Sequence, residues 1–403
     1  MLKKQENLAN YRHTNKKTII IIASLLVLIW ISYLNATPEF SVLTGNRCSS
    51  CHLNFQGGGM RKEFGWNFGK DFTVLTPSEA GLEGFYNFFD KKKYTLLDRF
   101  LAVGTDFRYQ TTRSHKYEDA KRKYYPMQAS LYINSDPFDW LRLDGQYNFG
   151  KLVFPGQQEW AASAYFQPFV DGPILRIGNF QPSIGLRDCD MTMLDRRIPT
   201  PDGSQTIIPP DYAEIGAELI YENPKWFSLF AGIFDSKNLW ANAFFGRETK
   251  IVSILHNPSF TFKFIVYPQW IDDYPPSLIG SSILINGNLI FLNSFLGFSV
   301  TDDFIFSFRF SLLNKPYERY SYSIIPSLTY IAYKGILLGI RAEYGKADII
   351  TPNKEIIPIS TYQMVANAKI LLIPYIEFIP EYRFIASEEY KSFRWSLQIH
   401  IYY

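Results

Sequence analysis

Three cysteines occur in the 403-residue chain, and two of them, Cys48 and Cys51, lie three residues apart with His52 directly after the second. The pentapeptide Cys48-Ser49-Ser50-Cys51-His52 brings two thiols within one turn of backbone and sets an imidazole beside them. Thiols at that spacing add across the two vinyl groups of a haem, and the adjacent histidine binds the iron as proximal ligand, the arrangement of c-type haem attachment. The plainer alternatives are zinc, a disulfide and coincidence. Structural zinc takes four ligands, and no second Cys/His pair lies nearby. A disulfide leaves His52 without a role. The expected cofactor is therefore one covalent haem c, held by Cys48, Cys51 and His52.

The second axial position is less determined. Met60 follows His52 by eight residues, and Gly57-Gly58-Gly59 between them allow the chain to turn back, so Met60 is the expected ligand. His115, Met127, His256 and His400 are the other donors, and an open or water-bound position is equally compatible with haem chemistry. Cys189, the odd cysteine, is either a free thiol or an intermolecular link. Its neighbours Asp188, Asp190 and Asp195 are either hard oxygen ligands for a cation or simply a solvated loop. Paired carboxylates in an acid–base setting, a nucleophile elbow and a phosphate loop are all missing from the sequence. One-electron transfer is the chemistry on offer, and no catalytic side chain is expected.

The rest of the chain must position that site. A net charge of +3 gives no basic field, so nucleic acid is not an expected partner. Hydrophobic residues make up 47% of the chain and aromatic residues 17%, with 34 Phe and 27 Tyr. The mean hydropathy is nevertheless −0.10, so apolar residues must be interleaved with polar ones. The exception is the N-terminus. Lys16-Lys17 precede an apolar run from Thr18 to Leu34, and Asn35-Ala36-Thr37 offers a small-residue cleavage site. Residues 1–36 thus read as a secretory signal peptide, the alternative being an uncleaved inner-membrane anchor. Export agrees with haem attachment, which takes place outside the cytoplasm.

Residues 37–72 form the expected haem segment and 73–96 a short helical linker. Thr76-Pro77-Ser78-Glu79 has the form of a capping box with proline at the first helical position. It predicts a helix to about Phe89 with Leu82, Phe85, Tyr86 and Phe89 on one face, stopped by Lys91-Lys92-Lys93. From residue 97 to 403 the period becomes two. Phe304, Phe306, Phe308 and Phe310 alternate with Ser307, Arg309 and Ser311, and Ala213, Ile215, Ala217 and Leu219 with Glu214 and Glu218. The last strand alternates from Phe393 to Tyr403, and its aromatic ending resembles the recognition signal of outer-membrane barrels.

A sandwich also alternates, but three features favour a membrane barrel: aromatics near strand ends, charges in mid-strand, and strand-like segments of about ten residues to the end of the chain. Fourteen to seventeen segments fit, and the preference for even numbers gives about sixteen strands. The predicted fold is all-β: a transmembrane antiparallel β-barrel whose lumen is plugged by the small monohaem cytochrome c segment. Asp106, Arg108, Arg142 and Arg341 are expected to surround the plug. The long connections Ser114 to Lys123 and Ile184 to Asp211 are expected as exterior loops.

The segment Phe40 to His52, with Thr44-Gly45 ahead of the haem motif, and Phe64-Gly65-Trp66-Asn67-Phe68 behind it resemble the fused monohaem cytochrome–porins of bacterial outer membranes. About thirty residues carry the specific likeness; Gln56, Trp66 and the Gly57–Gly59 run depart from the pattern. The resemblance implies an outer-membrane protein with the haem segment on the periplasmic or lumenal side. It also implies oxidation of extracellular ferrous iron, or another donor, with electrons passed to a periplasmic cytochrome or copper protein. A passive porin with a haem gate, and an outward conduit to extracellular acceptors, are the alternative functions.

Overall fold

The computed structural model describes residues 40–41, 46–92, 95–96, 100–114, 122–150, 158–187, 190, 193–200, 203–209, 212–222, 226–239, 258–268, 277–315, 318–350 and 355–403. The expected signal peptide, Thr44-Gly45, His115, Asp188, Cys189 and His256 lie outside these residues. Alternation of side chains makes the barrel. Its strands are β1 (Leu101–Ser114), β2 (Lys123–Phe138), β3 (Leu141–Asn148), β4 (Trp160–Phe166), β5 (Ile174–Phe180), β6 (Glu214–Tyr221), β7 (Phe227–Phe234) and β8 (Ser259–Val266). The second half holds β9 (Ser277–Asn286), β10 (Leu289–Ser299), β11 (Phe304–Lys315), β12 (Glu318–Tyr333), β13 (Ile336–Ile350), β14 (Ile356–Ile373), β15 (Ile376–Ala386) and β16 (Lys391–Tyr402). Each strand pairs antiparallel with the next. β16 returns to β1, with Gln398 opposite Gln110 and His400 opposite Arg108, so the sixteen-stranded sheet closes without an edge.

Burial runs opposite to that of a soluble fold. Along β16, Ser396, Gln398, His400 and Tyr402 are buried while Phe393, Trp395 and Ile401 are exposed. Along β11, Ser307, Arg309 and Ser311 are buried and Phe304 is exposed. In water such an apolar exterior around a charged interior would be unstable; in lipid it is the required arrangement. Among the described residues no helix is long and apolar enough to cross a membrane. The crossing is made by strands.

Two-residue turns at 139–140, 334–335 and 374–375 lie at one end of the barrel, together with the start of β1 and the end of β16. The long connections 149–159, 181–213 and 235–258 lie at the other. The second of these is not an exterior loop. Its described residues turn into the lumen, with Ile184, Ile207, Ile208 and Tyr212 packed against Leu284, Leu289 and Leu313, and with Met193 and Leu194 against Ile325. A hairpin pairing Arg197 with Thr206 and Ile198 with Gln205 packs along β13 and β14. Its apolar residues have no lipid to face at the loop end, so burial against the inner wall is the available route out of water.

Among the described residues three helices precede the barrel and are labelled α1 (Cys48–Cys51), α2 (Glu63–Asp71) and α3 (Glu83–Lys92). The capping box forms as expected, Glu79 N–H donating to Thr76 Oγ1 at 3.3 Å and Thr76 N–H to Glu79 Oε2 at 2.8 Å. It closes only one turn, because Gly81 takes a left-handed φ of 68° and ends it; α3 begins two residues later. Phe85 is consequently exposed while Tyr86 is buried, its hydroxyl donating to the Pro374 carbonyl at 3.0 Å. The segment thus lies along the turn end, where Val74 N–H and Leu75 N–H also donate to the carbonyls of Leu371 and Leu372.

Candidate functional site

The Cys-x-x-Cys spacing gives a single helical turn, closed by His52 N–H donating to the Cys48 carbonyl at 2.9 Å. After His52 the chain leaves and returns. Leu53 N–H donates to the Met60 carbonyl at 3.0 Å and Lys62 N–H to the Cys51 carbonyl at 2.9 Å, making 53–60 a closed loop. Gly57, Gly58 and Gly59 turn it, with φ of 82°, 70° and 67°, a left-handed run that side chains with a Cβ resist. A Cβ on Gly57 would lie 3.5 Å from Cys48 Cβ and 3.9 Å from His52 Cδ2, so this glycine packs directly on the motif. The Gly57–Gly59 run is therefore the reversal that brings residue 61 back beside residue 52.

α2 holds α1 from the other side. A Cβ on Gly65 would meet the Cys51 carbonyl oxygen at 2.3 Å, so the helices touch backbone to backbone. Trp66 stacks on Tyr375 with centroids 5.4 Å apart and meets Tyr403 edge-on, anchoring α2 to the turn end and the C-terminal strand.

Cys48, Cys51 and His52 line one cavity of ≈ 300 Å³ inside the barrel. It runs along β16 from Tyr402 to Arg394, eight residues nearer the loop end, about 26 Å of strand at 3.3 Å per residue. Both thiols are free. Burial pushes the thiols of Cys48 and Cys51 up from their ordinary value, with the Lys263 ammonium opposing this at Cys48. Burial also pushes His52 down, from 6.5 to about 3, and the charges of Arg61 and Arg187 act in the same direction. The ring is thus neutral, the form that ligates metals. Its buried Nδ1 has no hydrogen-bond partner of ordinary geometry.

The opposite walls are charged. His400 lies between two carboxylates, Nε2 at 3.0 Å from Asp106 and Nδ1 at 2.9 Å from Glu377, and Arg108 Nε donates to Asp106 at 3.2 Å. The inward loop contributes Asp190, paired with Arg341 and, at 2.6 Å, with Arg383, and Asp195, which accepts from Arg309 at 3.1 Å. These two aspartates neutralise guanidinium groups; among the described residues no group of three acidic, His or Cys side chains could hold a metal ion.

The expected residues separate into two sets. Asp106, Arg108, Arg341 and His400 surround the motif in the cavity, whereas Arg142 pairs with Asp136 at 2.9 Å outside it. Nδ1 of His400 is hydrogen-bonded to Glu377, and Nε2 lies 3.0 Å from Asp106. Met127 lines the cavity, as does Met193 of the inward loop. Met60 is buried in a cluster with Leu53, Ala102 and Tyr132 and does not line the cavity that His52 lines; ligation by Met60 requires its side chain to leave that cluster. Arg187 is a site residue that sequence reasoning missed. The signal was the apolar content of its loop, too high for a solvated connection.

The donor set fits a c-type haem: two free thiols one turn apart, a buried neutral imidazole with an orphaned nitrogen, and a cavity at the small end of the range for organic ligands, roughly 300–1,000 Å³.

No protein-family model matches the chain, and no curated protein does. Solved structures do. OprB of Pseudomonas putida superposes with a TM-score of 0.56 at 11% identity, over 83% of this chain and 99% of that one. The outer membrane channel DcaP of Acinetobacter baumannii gives 0.53 at 12% identity, over 75% and 97%. OmpT of Vibrio cholerae, an outer membrane protein, gives 0.50 at 10% identity, over 77% and 100%. The chain is similar to these three in fold: a porin-type, closed sixteen-stranded barrel.

Proposed function

We propose that this chain is an electron conduit of the bacterial outer membrane, with one haem c attached at Cys48 and Cys51, ligated by His52 and enclosed by the barrel. The carrying observation is that two free thiols and a neutral imidazole share one cavity inside a closed, lipid-facing barrel. When bound, haem c supplies reversible one-electron chemistry. The electron donor on this reading is extracellular ferrous iron, and the acceptor a periplasmic cytochrome or copper protein.

The chain's own residues do the rest. α1 and the Gly57–Gly59 reversal hold thiols and imidazole together, and Gly65 lets α2 clamp them. α2 and residues 73–75 lie at the turn end, the periplasmic end in barrels of this kind, which turns the haem segment toward the acceptor and the loop end toward the donor. Among the described residues the cavity wall carries ten Arg and Lys against four Asp and Glu. Such a field repels a free dication, so the iron gives up its electron at the loop mouth or enters as an anionic complex.

The passive-porin alternative asks solutes to pass a lumen that already holds the N-terminal segment and a loop pinned through Asp190. The test is haem staining on a denaturing gel, followed by ferrous reduction of the purified protein. Covalent haem in the wild type, none in Cys51→Ala, and reduction by Fe(II) are expected. Unreduced haem together with free leakage of sugars and salts from liposomes would overturn the conduit in favour of a porin.

A further inference from the structure

The cavity holds positive charge that the described residues do not balance by ion pairs. Among the described residues, Arg61 and Arg187 make no ion pair and donate no hydrogen bond, although both line the cavity beside His52. Arg61 stacks on Tyr402 with its guanidinium carbon 3.7 Å from the ring centroid, which uses the face of the group and leaves its in-plane N–H donors free. Arg187 comes from the inward loop, 135 residues beyond His52. Its side chain lies across the motif's glycine reversal, Nε 2.9 Å from where a Cβ on Gly58 would stand. The loop is itself tied down: Ser183 Oγ donates to Glu218 at 2.9 Å, Gly185 N–H to Ser282 at 2.7 Å and Arg196 to the Leu186 carbonyl at 2.7 Å. Two guanidinium forks in an enclosed space are unfavourable unless anions meet them, and planar carboxylates are the anions that fit such forks.

We infer that Arg61 and Arg187 form a carboxylate clamp for the two propionates of the haem, so that the inward loop is part of the cofactor site. The inference rests on the haem reading and adds the anionic end of the ligand to it. A clamp of this kind makes the haem site depend on two segments that meet only after the barrel closes. Removing one positive group beside the haem favours the ferric form, the state with one more positive charge, so the reduction potential falls.

The experiment is spectroelectrochemical titration of the purified, haem-bearing full-length protein and of the variants R61Q, R187Q, R187K and R394Q. Arg394 lines the same cavity toward the loop end, eight residues of strand from Tyr402, and controls for the general field. R61Q and R187Q are expected to lower the ferrous-to-ferric ratio at a fixed potential about tenfold, equivalent to about 59 mV for a one-electron couple. R187K is expected to recover part of that loss, and R394Q to lose less than R187Q. Unchanged ratios in R61Q and R187Q, or an equal loss in R394Q, overturn the clamp while leaving the haem intact. If R187Q fails to retain haem, R187K carries the test, and a ratio identical to wild type in R187K and R61Q overturns the clamp. A wild-type protein without covalent haem on the gel refutes the underlying haem reading instead.

Discussion

Gly65→Ala places one methyl group between two helices whose backbones already touch. The added Cβ would lie 2.3 Å from the Cys51 carbonyl oxygen and 2.9 Å from Cys51 Cα, against an ordinary contact of 3.4 Å or more, so α1 must retreat by about 1 Å. The obstacle is backbone and cannot rotate away. Overpacking of this kind costs about 1–3 kcal/mol. Alanine returns up to about 1 kcal/mol through helix propensity in α2. The net is about 1–2 kcal/mol against docking of the haem segment, a factor of roughly 5–30 in its equilibrium. The barrel ladder should be unaffected, because the atoms nearest the added Cβ all belong to Cys51 of α1. Limited proteolysis in detergent reads the docking equilibrium: cleavage within the N-terminal segment should accelerate by that factor, while the heat-modifiable mobility of the barrel stays unchanged. Gly84→Ala is the control, since a Cβ there meets nothing within 4 Å and only the propensity gain applies. If Gly65→Ala is as protected as wild type, or Gly84→Ala as sensitive as Gly65→Ala, the close approach of α1 and α2 is refuted.

Three further outcomes follow from the same contacts. Asp190→Asn removes the carboxylate shared by Arg341 and Arg383, so the inward loop should loosen and single-channel conductance in planar bilayers should rise; unchanged conductance contradicts the pinning role. His400→Leu strips the imidazole from between Asp106 and Glu377 and should destabilise the barrel by about 3 kcal/mol, the low end for a broken buried pair because Arg108 still meets Asp106; urea unfolding measures it. Burial, reinforced by the charge of Arg142, lowers Lys62 from 10.5 to about 8. Between these values the undocked segment binds more protons than the docked one, so docking should strengthen as pH rises from 8 to 10.5. Proteolysis of a Cys48→Ser, Cys51→Ser background, where neither thiol of the segment titrates, should show that slope, and Lys62→Met should abolish it.

The barrel was legible because its code is local. Period-two alternation by itself also suits a soluble sandwich, but charges such as Arg309 and Glu218 in mid-strand, aromatics near strand ends and segments of about ten residues together favour a membrane barrel, and segment count with parity gives about sixteen strands. The motif at Cys48 was legible for the same reason: its chemistry is contained in five adjacent residues. What escaped was non-local. The apolar residues around Arg187 hint that its loop turns inward, but not onto which strands, because the partners of Asp190 and Asp195 lie more than a hundred residues away on β11, β13 and β15. Thr76 to Glu79 form the cap that their types predict, but Gly81 at positive φ ends the helix after one turn. Spacing makes Met60 a candidate ligand or an ordinary packing residue, and it does not reveal that Leu53, Ala102 and Tyr132 surround it.

The central claim is that electrons cross the membrane through this chain's haem segment. Proteoliposomes enclosing an oxidised cytochrome c, supplied with ferrous iron only on the outside, test it directly. Wild-type protein should reduce the enclosed cytochrome while Cys51→Ala should not. Equal rates in the two, or no reduction with haem-bearing wild type, would contradict the account.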